Sequence, residues 1–430
     1  MKFLGYRRPD GKVGIRNKIF ILPASVCASD TTRIIASQIE GAVTFNNQNG
    51  CSQVAGDQQL TMDVMAGMAA NPNVYGIIVV SLGCENCQMD LVVDAIRERT
   101  NKPMETFIIQ ENGGTITTIE RAVRAGRKMA QEASMQQREE CDISELIIGT
   151  ECGGSDPTSG LASNVLIGEL SDRLVELGST SILSETTEFI GAEHILASRA
   201  KNEEVKERIY DIVHRYEKAL QLVGEEVREG NPSPGNIAGG ITTLEEKSLG
   251  CIHKGGHSVV NAVFDYGKPV TEKGLVIMDT PGNDPSSVAG MVAGGAQIIV
   301  FSTGRGTPTG NPISPVIKIT GNKIRLCHNK QLINSHFYRG VSELPYKLLF
   351  AVIYTHLEFR YEMSHTITSH HVHHFHQTRI PDGTLLDYMV QYRKPLFPQF
   401  FLYPKKFLPE NNPHHKEFHL RPYIQNNANQ

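Results

Sequence analysis

"IIGTECGGSDPTSG", residues 147–160, joins an apolar β-branched run to an acid, a thiol, two glycines, a serine and an aspartate. A turn after a strand needs only the glycines. Glu151 and Cys152 therefore predict a site at the end of a buried strand, and the rest of the chain can be asked for its partners.

Similar apolar runs recur at 18–24, 41–46, 76–82, 104–110, 145–149, 180–184, 274–279 and 297–302. Helix-like stretches at 30–40, 61–70, 91–99, 115–134, 161–177 and 203–224 lie between or beside them. Near-continuous apolar strands alternating with helices predict an α/β fold with parallel sheets, Rossmann-like layers covered on both faces. The Gly- and Pro-rich stretch 225–250 interrupts the pattern and sets a boundary near Pro232. The expected organisation is a first α/β domain over 1–231 and a second α/β portion with Gly-rich loops over 232–322.

Beyond Asn322 the composition changes. Most of the histidines lie at or beyond His328, and the only glycines after Cys327 are Gly340 and Gly383. The stretch 323–430 is rich in His, Phe and Tyr and has no clear period, so it reads as an aberrant, disordered tail. An ordered α/β pattern that stops so abruptly is what a shifted reading frame produces. His370, His371, His373, His374 and His376 offer a metal-binding alternative there.

Bulk properties exclude several classes. A formal net charge of -4 leaves no basic footprint for nucleic acid. No run approaches the length of a membrane span, and the charged start "MKFLGYRRPDGKVGIRN" lacks a signal-peptide core, so a cytoplasmic protein is expected. Eight cysteines in 430 residues do not make a disulfide framework; thiols or metal ligands are expected instead.

In open α/β sheets, ligands bind beyond the carboxyl ends of the strands. Those ends carry Cys27, Cys51, the "GCENC" of Cys84, Glu85 and Cys87, then Glu151 and Cys152, then Glu185 and Glu188. Single thiols from separate loops, accompanied by carboxylates, resemble an open metal site more than a closed structural zinc. Iron fits such a donor set best, as one ferrous ion or as an iron–sulfur cluster held by three cysteines, with manganese second. Cationic, hydroxyl-rich loops add to this. "RRPDGKVGIRN" supplies Arg16, "AGGITTLEEKSLGCIHKGGH" supplies Lys247, His253, Lys254 and His257, and "STGRGTPTGNPISPVIKITGN" supplies Arg305 and Lys318. Arginine forks suit carboxylates, so an acidic, polyhydroxylated substrate is expected. Nucleotide-binding glycine motifs in the required setting are absent.

Five stretches carry a family likeness: "GYRRPDGKVGIRN", "ECGGSDPTSGLASN", "ETTEFIGAEHIL", "GNIAGGITTLEEKSLGCIHKGG" and the run from "DTPGND" to "ITGN". They resemble the altronate/galactarate dehydratase family, and the large subunit of sulfolactate sulfo-lyase shares that core. The likeness spans residues 3–322. It implies a metal-dependent, typically ferrous, carbon–oxygen lyase that dehydrates a sugar acid to a 2-keto-3-deoxy acid. A sulfo-lyase releasing sulfite, or a degenerate chain, are the alternatives. The family's small SAF-type domain, absent from the start of this chain, implies a small partner subunit, and a homo-oligomer is also compatible. Asn46 and Asn47 stand where the family commonly has a histidine.

Strand-end position and the resemblance together assign candidate roles. Cys51, Cys84 and Cys152 are metal ligands, with Glu85 or Glu151 assisting. Glu185 and Glu188 are ligands or bases. His257 and Lys247 are acid/base groups. Arg16 and Arg305 clamp a carboxylate, and Asn17, Ser155, Asp156, Thr242 and Lys318 complete the substrate site.

Overall fold

A computed structural model describes residues 1–322. The stretch 323–430, with its histidine cluster, lies outside the described residues. In chain order the strands are Lys2–Arg7 (β1), Val13–Gly14 (β2), Lys18–Pro23 (β3), Ala42–Val43 (β4), Val74–Ser81 (β5), Met104–Ile108 (β6), Glu139–Asp142 (β7), Ile147–Cys152 (β8), Thr180–Leu183 (β9), Val260–Phe264 (β10), Gly274–Met278 (β11), Ile298–Ser302 (β12) and Val316–Ile319 (β13). They build two parallel sheets, ordered β4-β3-β5-β6 and β10-β11-β9-β8-β12-β13. A small antiparallel sheet, β2-β1-β7, ties the start of the chain to residues 139–142. The fold is α/β.

The first sheet shows why its strands read as unbroken apolar runs. Along β3 and β5, Ile19, Ile21, Ile78 and Val80 face one apolar cluster, shared with the helices Ser29–Ser37 and Thr115–Ser134. Phe20, Leu22, Ile77 and Val79 face another, shared with the helices Ala55–Ala70 and Met89–Arg97. Successive side chains point to opposite faces, so a strand covered on both sides must be apolar throughout.

The second sheet takes strands from both sides of Pro232: β8 and β9 precede it, and β10 to β13 follow it. The helix Asn164–Glu176 buries Ile167, Leu170 and Leu174 against Ile148, Ile298 and Val300. The helix Glu203–Leu222 buries Ile209, Ile212 and Val213 with Leu275 and Ile277.

The two large sheets share one apolar cluster. Met65, Met68 and Ala69 of the helix Ala55–Ala70 meet Val288, Met291 and Val292 of the helix Asp284–Ala293. Asn71 locks the contact, its Nδ2 donating to the carbonyls of Val292 (2.8 Å) and Ala296 (2.9 Å).

Some boundaries differ from the sequence reading. The expected strand 145–149 starts at Ile147 and runs on to Cys152. Asp142 accepts from the Ser144 N–H at 2.9 Å and turns residues 143–145 into a short 3₁₀ segment instead. The expected strand 41–46 contracts to Ala42–Val43. Two helices were not among those expected: Leu244–Ile252, mostly within the stretch read as a break, whose Thr243 side chain accepts from the Glu246 N–H, and Asp284–Ala293, capped by Asn283. No helix of the described residues is long and apolar enough to cross a membrane.

Gly67 marks the helix crossing. A Cβ there would lie 2.5 Å from the Ala293 carbonyl oxygen and 2.9 Å from its carbon. Gly67→Ala is expected to destabilise the fold by about 1–3 kcal/mol, read as a lower denaturant midpoint. An unchanged midpoint would mean the helices are not held this closely.

Candidate active site

Parallel register brings the strand ends together. Cys152 pairs with Ser302 across β8 and β12, and Thr150 pairs with Leu183 across β8 and β9. Glu185 therefore follows β9 beside Cys152, and its carboxylate accepts the Cys152 N–H at 2.9 Å. Glu185 is held with φ 71° and ψ 59°, the left-handed region that a non-glycine residue rarely adopts. The Thr280 hydroxyl fixes it there, accepting the Glu185 N–H at 2.7 Å. Such a conformation costs of order 1–3 kcal/mol and persists where surrounding bonds over-determine it, often at a functional site.

Lys254 lies at the centre of the site, and its side chain is 0% exposed. Its ammonium donates to Glu185 Oε2 at 2.6 Å, to Cys251 Sγ at 2.9 Å and to Cys152 Sγ at 3.0 Å. An ammonium has three N–H bonds, and all three are used. Its charge survives burial because Cys152, Cys251, Glu185 and Glu151 surround it, holding Lys254 well above its ordinary value. Cys152 is held well below the ordinary thiol value by its contact with Cys251 and by Lys254, against the effect of burial. Burial pushes Cys251 well above its ordinary value, and burial with the charge of Cys152 does the same to Glu185. The arrangement is thus a lowered Cys152 thiol against a Lys254 ammonium, with Cys251 and Glu185 raised beside them.

Two clefts open onto Cys152. One of about 790 Å³ is lined by Cys152, Glu185, Glu188, Lys247 and Asp284, among others. A second of about 220 Å³ is lined by Cys152, Ser155, Asp156, Lys247 and His253, among others. Lys247 donates to Glu188 Oε1 at 3.0 Å and to Asn231 Oδ1 at 2.6 Å. Glu188 Oε2 is buried without a hydrogen-bond partner, and burial raises this carboxyl despite Lys247. Burial, reinforced by Cys152 and opposed by Lys318, lifts Asp284 to about 6. Gly153 makes room for it, since a Cβ there would fall 2.3 Å from Asp284 Oδ2.

Glu151 is fully buried behind this wall. Its Oε2 accepts from the hydroxyls of Ser184 (3.0 Å) and Ser287 (2.6 Å), its Oε1 has no partner, and burial raises it to about 8. Lys318 lies 3.6 Å over the Phe301 ring and donates to the Thr309 carbonyl; burial lowers it to about 8.

The expected substrate residues divide. Ser155 and Asp156 line the clefts, although Asp156 is engaged by Thr158 and Asn322. Arg305 donates to the Gly235 carbonyl at 2.5 Å and, through its backbone, to Gly154 at 2.9 Å, tying two cleft loops together. Thr242 is exposed and donates its hydroxyl to Glu246 at 2.5 Å. His257 is exposed, with its backbone N–H held by Asp172, and lines neither cleft. Asn17 accepts from Arg8 at 2.6 Å and donates to the Ala133 carbonyl at 2.7 Å, beside the first sheet. Arg16 is next to it, lowered to about 10 by burial, and also lines neither cleft.

The expected metal ligands are not gathered. Among the described residues, one group of three thiol or carboxylate residues brings its ligand atoms within 4.8 Å of one another: Cys152, Glu185 and Cys251. Cys51 and Cys84 belong to loops beyond the first sheet, half-buried and exposed respectively. Glu85 accepts the N–H groups of Leu82 (2.8 Å) and Gly83 (2.6 Å), which shapes its own turn. The Cys152–Glu185–Cys251 group has the right donors for iron, but the Lys254 ammonium already points into all three. With Lys254 in place this arrangement does not fit a ferrous ion or a cluster. Cys251, Lys254 and Asp284 are the partners that strand-end reasoning did not assign.

Comparison with known proteins agrees with this core. Residues 5–134 match the family described as D-galactarate dehydratase/Altronate hydrolase, second domain, and residues 143–337 match D-galactarate/Altronate dehydratase, C-terminal. The chain is 40% identical over 322 residues to the (2R)-sulfolactate sulfo-lyase subunit beta of Chromohalobacter salexigens, covering 74% of this chain and 82% of that one. The chain belongs to the galactarate/altronate dehydratase family. It is also 36% identical over 330 residues to altronate dehydratase of Bacillus subtilis, covering 74% of this chain and 65% of that protein. With galactarate dehydratase (L-threo-forming) of Escherichia coli it shares 34% identity over 336 residues, 74% of this chain and 64% of that one. The chain thus spans slightly under two thirds of these two dehydratases.

Lys254→Met removes the ammonium and keeps a buried chain of similar length. The Cys152 thiolate then loses its counter-charge, and its titration should move up past the ordinary thiol range of about 8.5. Alkylation rate against pH, read at Cys152 by peptide mass, checks this. Unchanged titration would remove Lys254 from the control of that thiol.

Proposed function

We propose that the chain is a carbon–oxygen lyase that dehydrates a sugar acid of the altronate or galactarate type to a 2-keto-3-deoxy acid. The observation that carries this reading is the 790 Å³ cleft, which sets Asp284 and the Glu188–Lys247 pair around one space beside Cys152. β-Elimination needs a base for the proton on the carbon bearing the carboxylate, and an acid for the hydroxyl leaving the next carbon. Asp284, raised to about 6, is ionised at neutral pH and more basic than an ordinary aspartate. It takes the proton. Glu188, whose hold on a proton burial strengthens and which is hydrogen-bonded to Lys247, is the group placed to protonate the departing hydroxyl, which leaves as water. The enol left behind tautomerises to the 2-keto acid. Lys247 is the cation on this wall that suits a substrate carboxylate.

A second reading has specific support. The sulfo-lyase subunit beta is 40% identical over most of its length, and the same base and acid would serve to expel sulfite. Its name as a subunit supports a partner chain for this protein as well.

The test is turnover of the anaerobically purified chain on aldonic acids, aldaric acids and sulfolactate, with and without added ferrous ion. A 2-keto-3-deoxy product from altronate or galactarate supports the dehydratase, and sulfite from sulfolactate supports the second reading. Neither product, from protein shown to be folded, would overturn both. Activity should rise as pH passes about 6, where Asp284 loses its proton and gains function as a base. Asp284→Asn should abolish that limb and lower kcat by about 10²–10⁴-fold. Full turnover with an unchanged pH profile in that variant would place the base elsewhere.

A further inference from the structure

Two thiols share the same buried ammonium, and the proposed elimination uses neither of them. Cys152 ends β8, is 6% exposed and forms part of the wall of both clefts. Cys251 lies in the last turn of the helix Leu244–Ile252, 1% exposed, and lines neither cleft. Their sulfurs lie within 4.8 Å of each other, both in contact with Lys254. The pair therefore has one thiol at the cleft wall, one thiol behind it, and a fixed cation between them. A reactive cysteine poised beside a resolving cysteine has this layout.

We propose that Cys152 and Cys251 form an oxidative modification site, in which a peroxide converts the two thiols into a disulfide and a thiol reductant restores them. The Cys152 thiolate attacks one peroxide oxygen; the O–O bond breaks, hydroxide leaves, and Cys152 becomes a sulfenic acid. The Cys251 sulfur then attacks the Cys152 sulfur, an S–S bond forms, and the Cys251 proton departs with the hydroxyl as water. Two thiol sulfurs are oxidised by two electrons in all, and one peroxide is reduced. Lys254 steadies the attacking thiolate in the first step, as a cation beside a thiol does generally. After the second step no thiolate faces Lys254, and Glu185, bonded to it at 2.6 Å, remains as its carboxyl partner. Drawing the sulfurs to the S–S length of about 2.0 Å rearranges the wall that Cys152 lines, so turnover should fall. The bond itself does not depend on the lyase reading; the accompanying fall in turnover does.

The experiment exposes the reduced full chain to stoichiometric hydrogen peroxide, alkylates the remaining thiols and identifies linked peptides by mass. The Cys152 and Cys251 peptides should appear joined and separate again with dithiothreitol, while the exposed Cys27 and Cys84 act as internal references. In Cys251→Ser, no link should form and Cys152 should be trapped as a dimedone adduct of its sulfenic acid. Lys254→Met should slow linkage by about tenfold or more, and Lys254→Arg, which keeps the charge, should restore most of the rate. Free alkylation of both Cys152 and Cys251 after peroxide would overturn the proposal. So would linkage of Cys152 to a different cysteine. Because linkage is read by mass, a protein that links with peroxide but turns over no substrate even when fully reduced would sink the lyase reading and leave the modification site standing.

Discussion

A lysine ammonium with no exposure to water must be matched by acceptors or lose its proton. Lys254 keeps its proton because two cysteine sulfurs and one carboxyl group converge on it. Much of the local architecture serves that convergence. Cys152 ends a central strand, Glu185 is bent into a left-handed conformation to reach it, and Cys251 arrives from a helix of the Gly-rich stretch. Removing one partner of a buried ion pair generally costs several kcal/mol, because the other charge is left without compensation. The cluster is therefore a structural anchor as well as a chemical one.

The same cluster separates this centre from a conventional thiolate metal site. Two thiols and a carboxylate within 4.8 Å are donors that iron or zinc would accept. The ammonium takes the position and the lone pairs that a metal would use. It supplies a fixed positive charge near the cleft, a role that electrostatic catalysis assigns equally to lysines and to metals. The carboxyls around it divide by environment. Glu188 and Glu151 each keep one buried oxygen without a partner, and Asp284 is lifted only to about 6. Neighbouring carboxyl groups held at different proton affinities are what an acid and a base in one cleft require.

Much of this was legible in the sequence, for identifiable reasons. Strands covered on both faces must be apolar at every position, so β3, β5, β8, β11 and β12 stood out as continuous runs. Parallel strands place their carboxyl ends on one edge, so Cys152, Glu185 and Glu188 were found together from position alone. The helices Leu244–Ile252 and Asp284–Ala293 were not, because glycines and prolines dominate the surrounding residues and their capping by Thr243 and Asn283 is a local signal. Cys251 was hidden for the same reason, and Lys254 stood out only as one cation of a glycine-rich loop. They sit in a stretch that reads as loop, and register alone cannot show that it folds back over the strand ends. Cys51, Cys84 and Glu85 show the opposite error: they stand at strand ends, but of the other sheet, and Glu85 closes its own turn.

The central claim is that an ammonium, in place of a metal ion, occupies the centre of the Cys152–Glu185–Cys251 group. The most direct test is X-ray diffraction from crystals of the chain grown and soaked anaerobically with ferrous ion, with anomalous data collected at the iron edge. The account predicts Lys254 Nζ within hydrogen-bond distance of both sulfurs and of Glu185, with no anomalous peak among them. An iron peak coordinated by Cys152, Cys251 and Glu185, with Lys254 swung out of the group, would contradict it.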